Sequence, residues 1–173
     1  MNVERNLILV GPMGSGKSAV GRQLARALRR PFIDCDVELE RRTGVDIPLI
    51  FEKEGEAGFR IRERELIDEL VGRSGIVLST GGGAVLLAEN RRRLQEGGIV
   101  IYLDTSIEQQ LKRVREGERR PLLSGSTDLR ARLSELMTLR APLYTEVATL
   151  TVQTDGRRVR EVVDQILKQL SKD

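Results

Sequence analysis

Gly11-Pro12-Met13-Gly14-Ser15-Gly16-Lys17-Ser18 has the spacing GxxxxGK[ST], and each residue type in it has a task if the ligand is a nucleotide polyphosphate. Glycines let successive backbone N–H groups turn inward around an anion, and a helix starting here adds the partial positive charge of its N-terminus. The Lys17 ammonium is placed to reach the β- and γ-phosphates, and the Ser18 hydroxyl to ligate Mg2+. An ordinary glycine-rich turn would not also need Lys and Ser at these two places. Gly14, Ser15, Gly16, Lys17, Ser18 and Ala19 are therefore the nucleotide-binding candidates, with ATP and Mg2+ as the implied ligands.

A phosphate-binding loop alone does not separate kinases from GTPases, ATPases or motors, so an acceptor site decides. Phe32-Ile33-Asp34-Cys35-Asp36 carries two carboxylates at i and i+2, so one can face a metal and the other an acceptor. A strand-end turn with Asp36 capping a helix from Val37 is the other reading. Arg60 and Glu63 stand at i and i+3 in a helical stretch, where a surface ion pair would look the same. Thr80-Gly81-Gly82-Gly83 allows close backbone approach to a ligand, or is a flexible turn. Arg119-Arg120-Pro121-Leu122-Leu123 and Arg140-Ala141-Pro142-Leu143-Tyr144 add arginines, which singly are most often solvated.

Composition narrows the chemistry. The chain has no histidine, which removes Ser-His-Asp triads, HExxH zinc sites and every histidine general base, so a proton acceptor must be a carboxylate. A net charge of +3 would suit a nucleic-acid binder, but aromatic residues are only 3 % and no basic run interleaves with them; a small anion accounts for the arginines equally well. No NKxD or DxxG motif supports a GTPase. The single cysteine, Cys35, has no disulfide partner within the chain, and no apolar run has the length of a membrane span. Met1-Asn2-Val3-Glu4-Arg5 leads directly into an apolar run without the parts of a secretory signal, so the expected location is the cytoplasm.

These residues need a scaffold, and the pattern supplies one. Leu7-Ile8-Leu9-Val10 is a continuous apolar run ending at Gly11, the form of a parallel strand covered on both faces. Val20, Leu24, Ala27 and Leu28 then make one apolar helical stripe ending near Arg30-Pro31. Phe32-Ile33, Ile76-Val77-Leu78, Ile99 to Leu103 and Leu150-Thr151-Val152 read as four further strands separated by helices. Thr105-Ser106-Ile107-Glu108 has capping-box form, RAPLY closes the penultimate helix, and Val159 to Leu170 carry the last amphipathic helix. The 173 residues suit a single domain, 1–173: α/β, with a mostly parallel sheet covered on both faces and ligands at the strands' carboxyl ends. The second strand is expected beside the strand that feeds the phosphate loop. Residues 37–71 and 115–127 interrupt the rhythm and read as mobile flaps over the site.

Taken together and in this order, GPMGSGKS, FIDCD, EGEAGFR, LSTGGG, RRPLL, RAPLY and TDGRR resemble the shikimate kinase family over nearly the whole chain. The resemblance implies a three-layer P-loop kinase fold with a central five-stranded parallel sheet, an acceptor-binding segment at about 33–71 and a lid at about 115–127. It implies phosphorylation of the shikimate 3-hydroxyl with Mg·ATP. By the same resemblance Asp36 holds the acceptor hydroxyls and is catalytic with Lys17 and Arg120. Arg60 and Arg140 hold the carboxylate, Gly81, Gly82 and Gly83 lie beneath the ring, and Glu63 orients Arg60. Asp34 reaches Mg2+ through water, in place of a Walker B aspartate, since Ser79 and Thr80 follow the third strand. Arg113 stacks on the adenine, Arg157 contacts its other face, and the lid's Arg120 closes on the transferring phosphate. One departure is Ala19, where the family usually has threonine. The family suggests a monomer with no nucleic-acid or membrane partner. The competing readings are a gluconate or nucleoside monophosphate kinase of the same architecture, a regulatory ATP-binding module, and a nucleic-acid binder.

Overall fold

In the computed structural model, which describes residues 5–115 and 128–172, strands and helices alternate along the chain. β1 (Asn6–Val10) is buried along its whole length because it is central in a sheet of order β2-β3-β1-β4-β5, with β2 (Phe32–Asp34), β3 (Val77–Ser79), β4 (Gly98–Asp104) and β5 (Leu150–Gln153). Every pairing is parallel: Leu9 stands opposite Ser79 on one side and Ile101 on the other.

Side chains alternate across a strand, and the two core clusters follow that alternation. Ile8, Val10, Leu78, Val100 and Tyr102 face one side, with Phe59, Leu66, Ile67 and Leu70 of α3 (Ile47–Val71), Leu94 of α4 (Ala88–Gly97), and Tyr144 and Val147 of α6 (Leu129–Val147). Leu7, Leu9, Val77, Ile101 and Leu103 face the other, with Val20 and Leu24 of α1 (Lys17–Leu28) and Val162, Val163, Ile166 and Leu170 of α7 (Val159–Leu170). Helices thus cover both faces of a five-stranded parallel sheet, as the resemblance implies.

The expected adjacency of β2 and β1 does not hold, because β3 lies between them. The chain leaves β1 through α1, skips one strand position, and returns to fill it after α2 (Cys35–Thr43) and α3. Asp34, Ser79 and Leu9 are nonetheless level across the sheet, so Asp34 stays within reach of the phosphate loop.

Three helix boundaries also differ from the pattern. Asp34 rather than Asp36 caps α2, its carboxylate accepting from the Asp36 and Val37 N–H groups at 3.0 and 3.2 Å. The cap of α5 (Ile107–Arg115) is Ser106, whose Oγ accepts from Gln109 N at 3.2 Å; Thr105 is engaged with Thr154 instead, and Glu108 with Arg130. α6 runs through Pro142 to Val147, because the single amide hydrogen bond that proline removes is outweighed by burial of Tyr144 and Val147 beyond it. No helix among the described residues is long and apolar enough to cross a membrane.

Candidate active site

The phosphate loop joins β1 to α1 in a conformation only glycine adopts easily, with Gly14 at φ 80° and Gly16 at φ 88°. Space is tight there as well. A Cβ on Gly14 would lie 3.1 Å from the Gln110 backbone, and one on Gly16 would lie 2.5 Å from Arg113 Nη1, so α5 and its arginine press against the loop. Lys17 Nζ donates to the Gly11 and Pro12 carbonyls at 2.7 and 3.0 Å, which holds the ammonium across the loop. Ser15 Oγ is buried without a hydrogen-bond partner, an orphaned polar atom in an anion cradle that fits a phosphate-bearing ligand. The adjoining cavity of about 290 Å3 is lined by Gly14, Gly16, Lys17, Ser18, Ala19, Asp34, Asp36 and Arg113, among others.

Ser18 Oγ donates to Asp34 Oδ2, so the two proposed metal-facing oxygens are already in contact. Among the described residues no three His, Cys, Asp or Glu side chains gather as a metal cage. The donor set is one hydroxyl and one carboxylate, both hard oxygens, and suits an ion that takes its remaining ligands from phosphates and water, as Mg2+ does.

A second cavity, about 70 Å3, opens beside the first and is bounded by Phe51, Phe59, Arg60, Glu63, the three glycines and Arg140. Met13, Asp36, Gly81 and Gly82 line both, which puts the half-buried Asp36 carboxylate at the seam. Arg60 is not on the surface: it is 9 % exposed, donates from Nη1 to Glu63 at 2.7 Å and from Nη2 to Glu56 at 3.3 Å, and lies over the Phe59 ring. Its Nε is buried with no partner. Arg140, on α6, is also buried, and the Tyr144 hydroxyl beside it donates to the Gly82 carbonyl; a Cβ on Gly82 would lie 3.3 Å from Arg140 Nη1 and 3.7 Å from the Tyr144 oxygen.

The triple glycine has a physical reason at each position. A Cβ on Gly83 would come within 2.6 Å of the Arg60 Cζ; one on Gly82 would be 3.3 Å from Arg140 Nη1; one on Gly81 would be 3.0 Å from Glu63 Oε2 and 3.2 Å from Asp36 Oδ1. The charged groups lie directly against a backbone floor.

Burial sets the electrostatics. It pushes the Glu63 carboxyl up from its ordinary value, against the pull of Arg60, and pushes the Arg140 guanidinium down, against the Tyr144 oxygen. The Cys35 thiol, sealed under the site, is raised well above normal, first by burial and then by Asp36.

Most of the residues singled out in the sequence therefore meet: Gly14 to Ala19, Asp34, Asp36, Arg60, Glu63, Gly81 to Gly83, Arg113 and Arg140. Arg157 does not join them, being exposed and bonded through Nη1 to Gln165 of α7. Arg120 and the lid, from 116 on, lie outside the described residues. Four residues the motifs did not single out also matter. Met13 packs on Leu111, Leu133 and Leu136 at the seam, Gln110 pins the start of α5 through Thr105 O, Thr80 ties β3 to Leu9 O, and Tyr144 holds the acceptor floor. Met13, Thr80 and Tyr144 each stand as a letter of GPMGSGKS, LSTGGG or RAPLY, whereas Gln110 carried no signal.

A phosphate loop that opens past a single carboxylate into a pocket walled by guanidinium groups is the arrangement of a P-loop small-molecule kinase. A family model described as shikimate kinase matches residues 13–171. A shikimate kinase of Thioalkalivibrio sulfidiphilus is 55 % identical over 96 % of this chain and 87 % of its own. One from Pseudomonas syringae pv. tomato is 55 % identical over 96 % of each chain. The solved structure of an Acinetobacter baumannii shikimate kinase in complex with shikimate superposes with a TM-score of 0.94 at 48 % identity, covering 97 % of this chain and 93 % of that one. The chain belongs to the shikimate kinase family: it is a kinase, and ATP is its co-substrate.

Proposed function

We propose that the chain transfers the γ-phosphoryl group of ATP to the 3-hydroxyl of shikimate, giving shikimate 3-phosphate and ADP on the route to chorismate and the aromatic amino acids. The observation that carries this is the position of Asp36, common to the nucleotide cavity and to the pocket containing Arg60 and Arg140. An acceptor with a carboxylate at one end and hydroxyls at the other meets guanidinium forks at the far wall and a hydrogen-bond acceptor at the seam.

In this reading Arg60 and Arg140 bind the carboxylate, and Gly81 to Gly83 let the ring lie close to the backbone. Asp36 accepts the hydrogen bond of the 3-hydroxyl and takes its proton late in the transfer. The new bond forms between that oxygen and the γ-phosphorus as the bond to the ADP oxygen breaks, and the electron pair leaves with ADP. Lys17, Arg120 of the lid and the N-terminus of α1 carry the phosphate charge, and Arg113 contacts the base. Ser18 directly, and Asp34 through water, would hold Mg2+, which would neutralise charge on the β- and γ-phosphates when bound. Positioning and charge stabilisation supply most of the rate. Residues 33–71 act as the acceptor-binding segment and 115–127 as the lid of one domain, working as a monomer in the cytoplasm.

The test is ADP release by the purified chain with Mg·ATP and shikimate, quinate, gluconate or a nucleoside monophosphate. Shikimate-dependent release is the expected result; faster release with any of the others would move the acceptor assignment to that compound.

A further inference from the structure

Tyr144 is the largest fully buried side chain of the protein's described core, and its hydroxyl points into the acceptor floor rather than into the apolar cluster around its ring. The bonding of that hydroxyl is fixed by its neighbours. The Gly82 carbonyl can only accept and the Arg140 guanidinium can only donate, so the single phenolic proton goes to Gly82 O and a lone pair is left for Arg140, whose Nη1 lies against the same Gly82 backbone. Burial pushes the phenol up to about 12, so this proton stays in place at any working pH. The ring cannot swing away, since it is fully buried and the Tyr102 ring packs on it at 5.1 Å. Residues 140 and 144 share a face of α6, being four apart, so RAPLY places ligand-holding arginine and its holder on one helical turn.

We infer that Tyr144 is a positioning residue of the acceptor site, fixing the Arg140 guanidinium over the Gly82 backbone so that the two meet the acceptor carboxylate together. This rests on the shikimate reading above. It assigns to the tyrosine a share of acceptor affinity, and none of nucleotide affinity or of the chemical step.

Tyr144→Phe keeps the ring and removes only the hydroxyl. The expected result is a KM for shikimate raised roughly ten- to hundredfold, the range for losing a hydrogen bond to a charged group, with kcat and the KM for ATP within about twofold. In an Arg140→Ala background the same change adds less than about twofold, because the group it positions is gone. Tyr102→Phe, which alters the same ring pair but bonds Asp104 instead of the floor, leaves the shikimate KM unchanged. An unchanged KM in folded Tyr144→Phe overturns the inference, as does a loss shared equally by kcat, both KM values and the Tyr102→Phe control, which is the mark of packing alone.

A spectroscopic measurement does not depend on that variant folding. The chain has two tyrosines and no tryptophan, so in Tyr102→Phe the near-ultraviolet tyrosine band belongs to Tyr144 alone. Saturating shikimate, at the concentration turnover defines, shifts that band if its carboxylate draws on Arg140; no shift overturns the inference while the kinase reading stands. Absence of shikimate-dependent ADP release by the unsubstituted chain would instead strike the functional reading, and this inference with it.

Discussion

Gly83→Ala tests the acceptor pocket from its floor, through a residue whose backbone would accept alanine. Gly83 is not among the positive-φ glycines, so the substitution acts through space alone. Its Cβ would approach the Arg60 Cζ and Nη1 to 2.6 Å, and Nη2 more closely still, where carbon contacts normally settle near about 3.5 Å. The guanidinium must therefore retreat by about 1 Å. It has little freedom to do so, being held by Glu63 at 2.7 Å and packed against the Phe59 ring. A carboxylate–guanidinium hydrogen bond displaced by that much loses most of its worth, about 1.5–3 kcal/mol. At about 1.4 kcal/mol per tenfold, the KM for shikimate should rise roughly 10- to 150-fold.

A second consequence falls on stability. Glu63 is only 2 % exposed and its carboxyl is already pushed up by that burial, so weakening the Arg60 contact leaves it to take a proton rather than stay charged. The loss should be about 1–3 kcal/mol, lowering the thermal midpoint by roughly 2 to 10 °C for a chain of this size. The assay is a coupled ADP titration with shikimate at saturating ATP, run beside a thermal melt, on Gly83→Ala, Arg60→Ala and the double variant. In the Arg60→Ala background the added methyl has nothing to displace, so the two KM effects should be far from additive. An unchanged shikimate KM in Gly83→Ala, or simple additivity of the two changes, would refute the reasoning.

Asp36→Asn should cut kcat by on the order of 10² or more while leaving the ATP dissociation constant nearly unchanged, since the residue faces the acceptor; calorimetric ATP binding that weakens in step would place it wrongly. Lys17→Ala should fail on both counts, with ATP affinity and kcat each reduced about tenfold or more, and retention of both values would contradict its role at the phosphates. At acid pH, the Arg42 network on α2 and α3 should release its stabilisation. Hydrogen bonds from Arg41 and Arg42 lower Glu38 from 4.5 to about 2, and those from Arg42 first and Arg73 next lower Glu69 by as much. Folded values below the unfolded one mean a contribution present above about pH 4.5 and lost as pH falls toward about 2. The gap in melting temperature between the unsubstituted chain and Arg42→Ala should therefore narrow as pH drops from about 6 to about 3, and should be smaller in high salt because the groups are exposed. A gap that widens on acidification would exclude the network as its source.

The strands were legible because strands of a parallel sheet covered on both faces are continuous apolar runs, and Leu7 to Val10 and Ile99 to Leu103 have that form. The phosphate loop was legible because its chemistry is local: eight consecutive residues make the cradle. The strand order was not, since nothing in Phe32-Ile33-Asp34 records whether β1 or β3 will pair with it; that is decided by how α1, α2 and α3 pack. The extension of α6 beyond RAPLY to Val147 escaped for a related reason, because the burial of Val147 that holds the last turn is not visible in the local sequence. Arg60 looked like half of a surface pair and proved buried, while Arg157, with the same side chain, stayed outside. Spacing along the chain cannot distinguish those two cases.

The charge count in the acceptor pocket bears on which acceptor fits. Arg60 and Arg140 bring two buried guanidinium groups to a pocket wall that holds one deeply buried carboxylate, Glu63. Glu56 reaches Arg60 only from the rim, its side chain about half exposed, and is screened by water. The pocket's other carboxylate, Asp36, sits at the seam against Gly81, while the guanidinium groups lie against Gly82 and Gly83, so the guanidinium wall itself pairs two positive groups with the one buried carboxylate. Arg60 Nε is a buried donor with nothing to donate to. A buried ion pair is stabilising only when its remaining donors and acceptors are satisfied, so this arrangement is incomplete by one planar, singly charged hydrogen-bond acceptor. A carboxylate meets that description. A phosphate monoester, doubly charged near neutrality, would overfill the same wall and bring a negative charge toward Glu63. On this ground the geometry favours a hydroxylated carboxylic acid over a nucleoside monophosphate. Between shikimate and gluconate, which share the carboxylate, the difference must lie in the floor of Gly81, Gly82 and Gly83, where a rigid ring can rest against backbone held by Tyr144 and an open chain gains less from a surface that is already fixed.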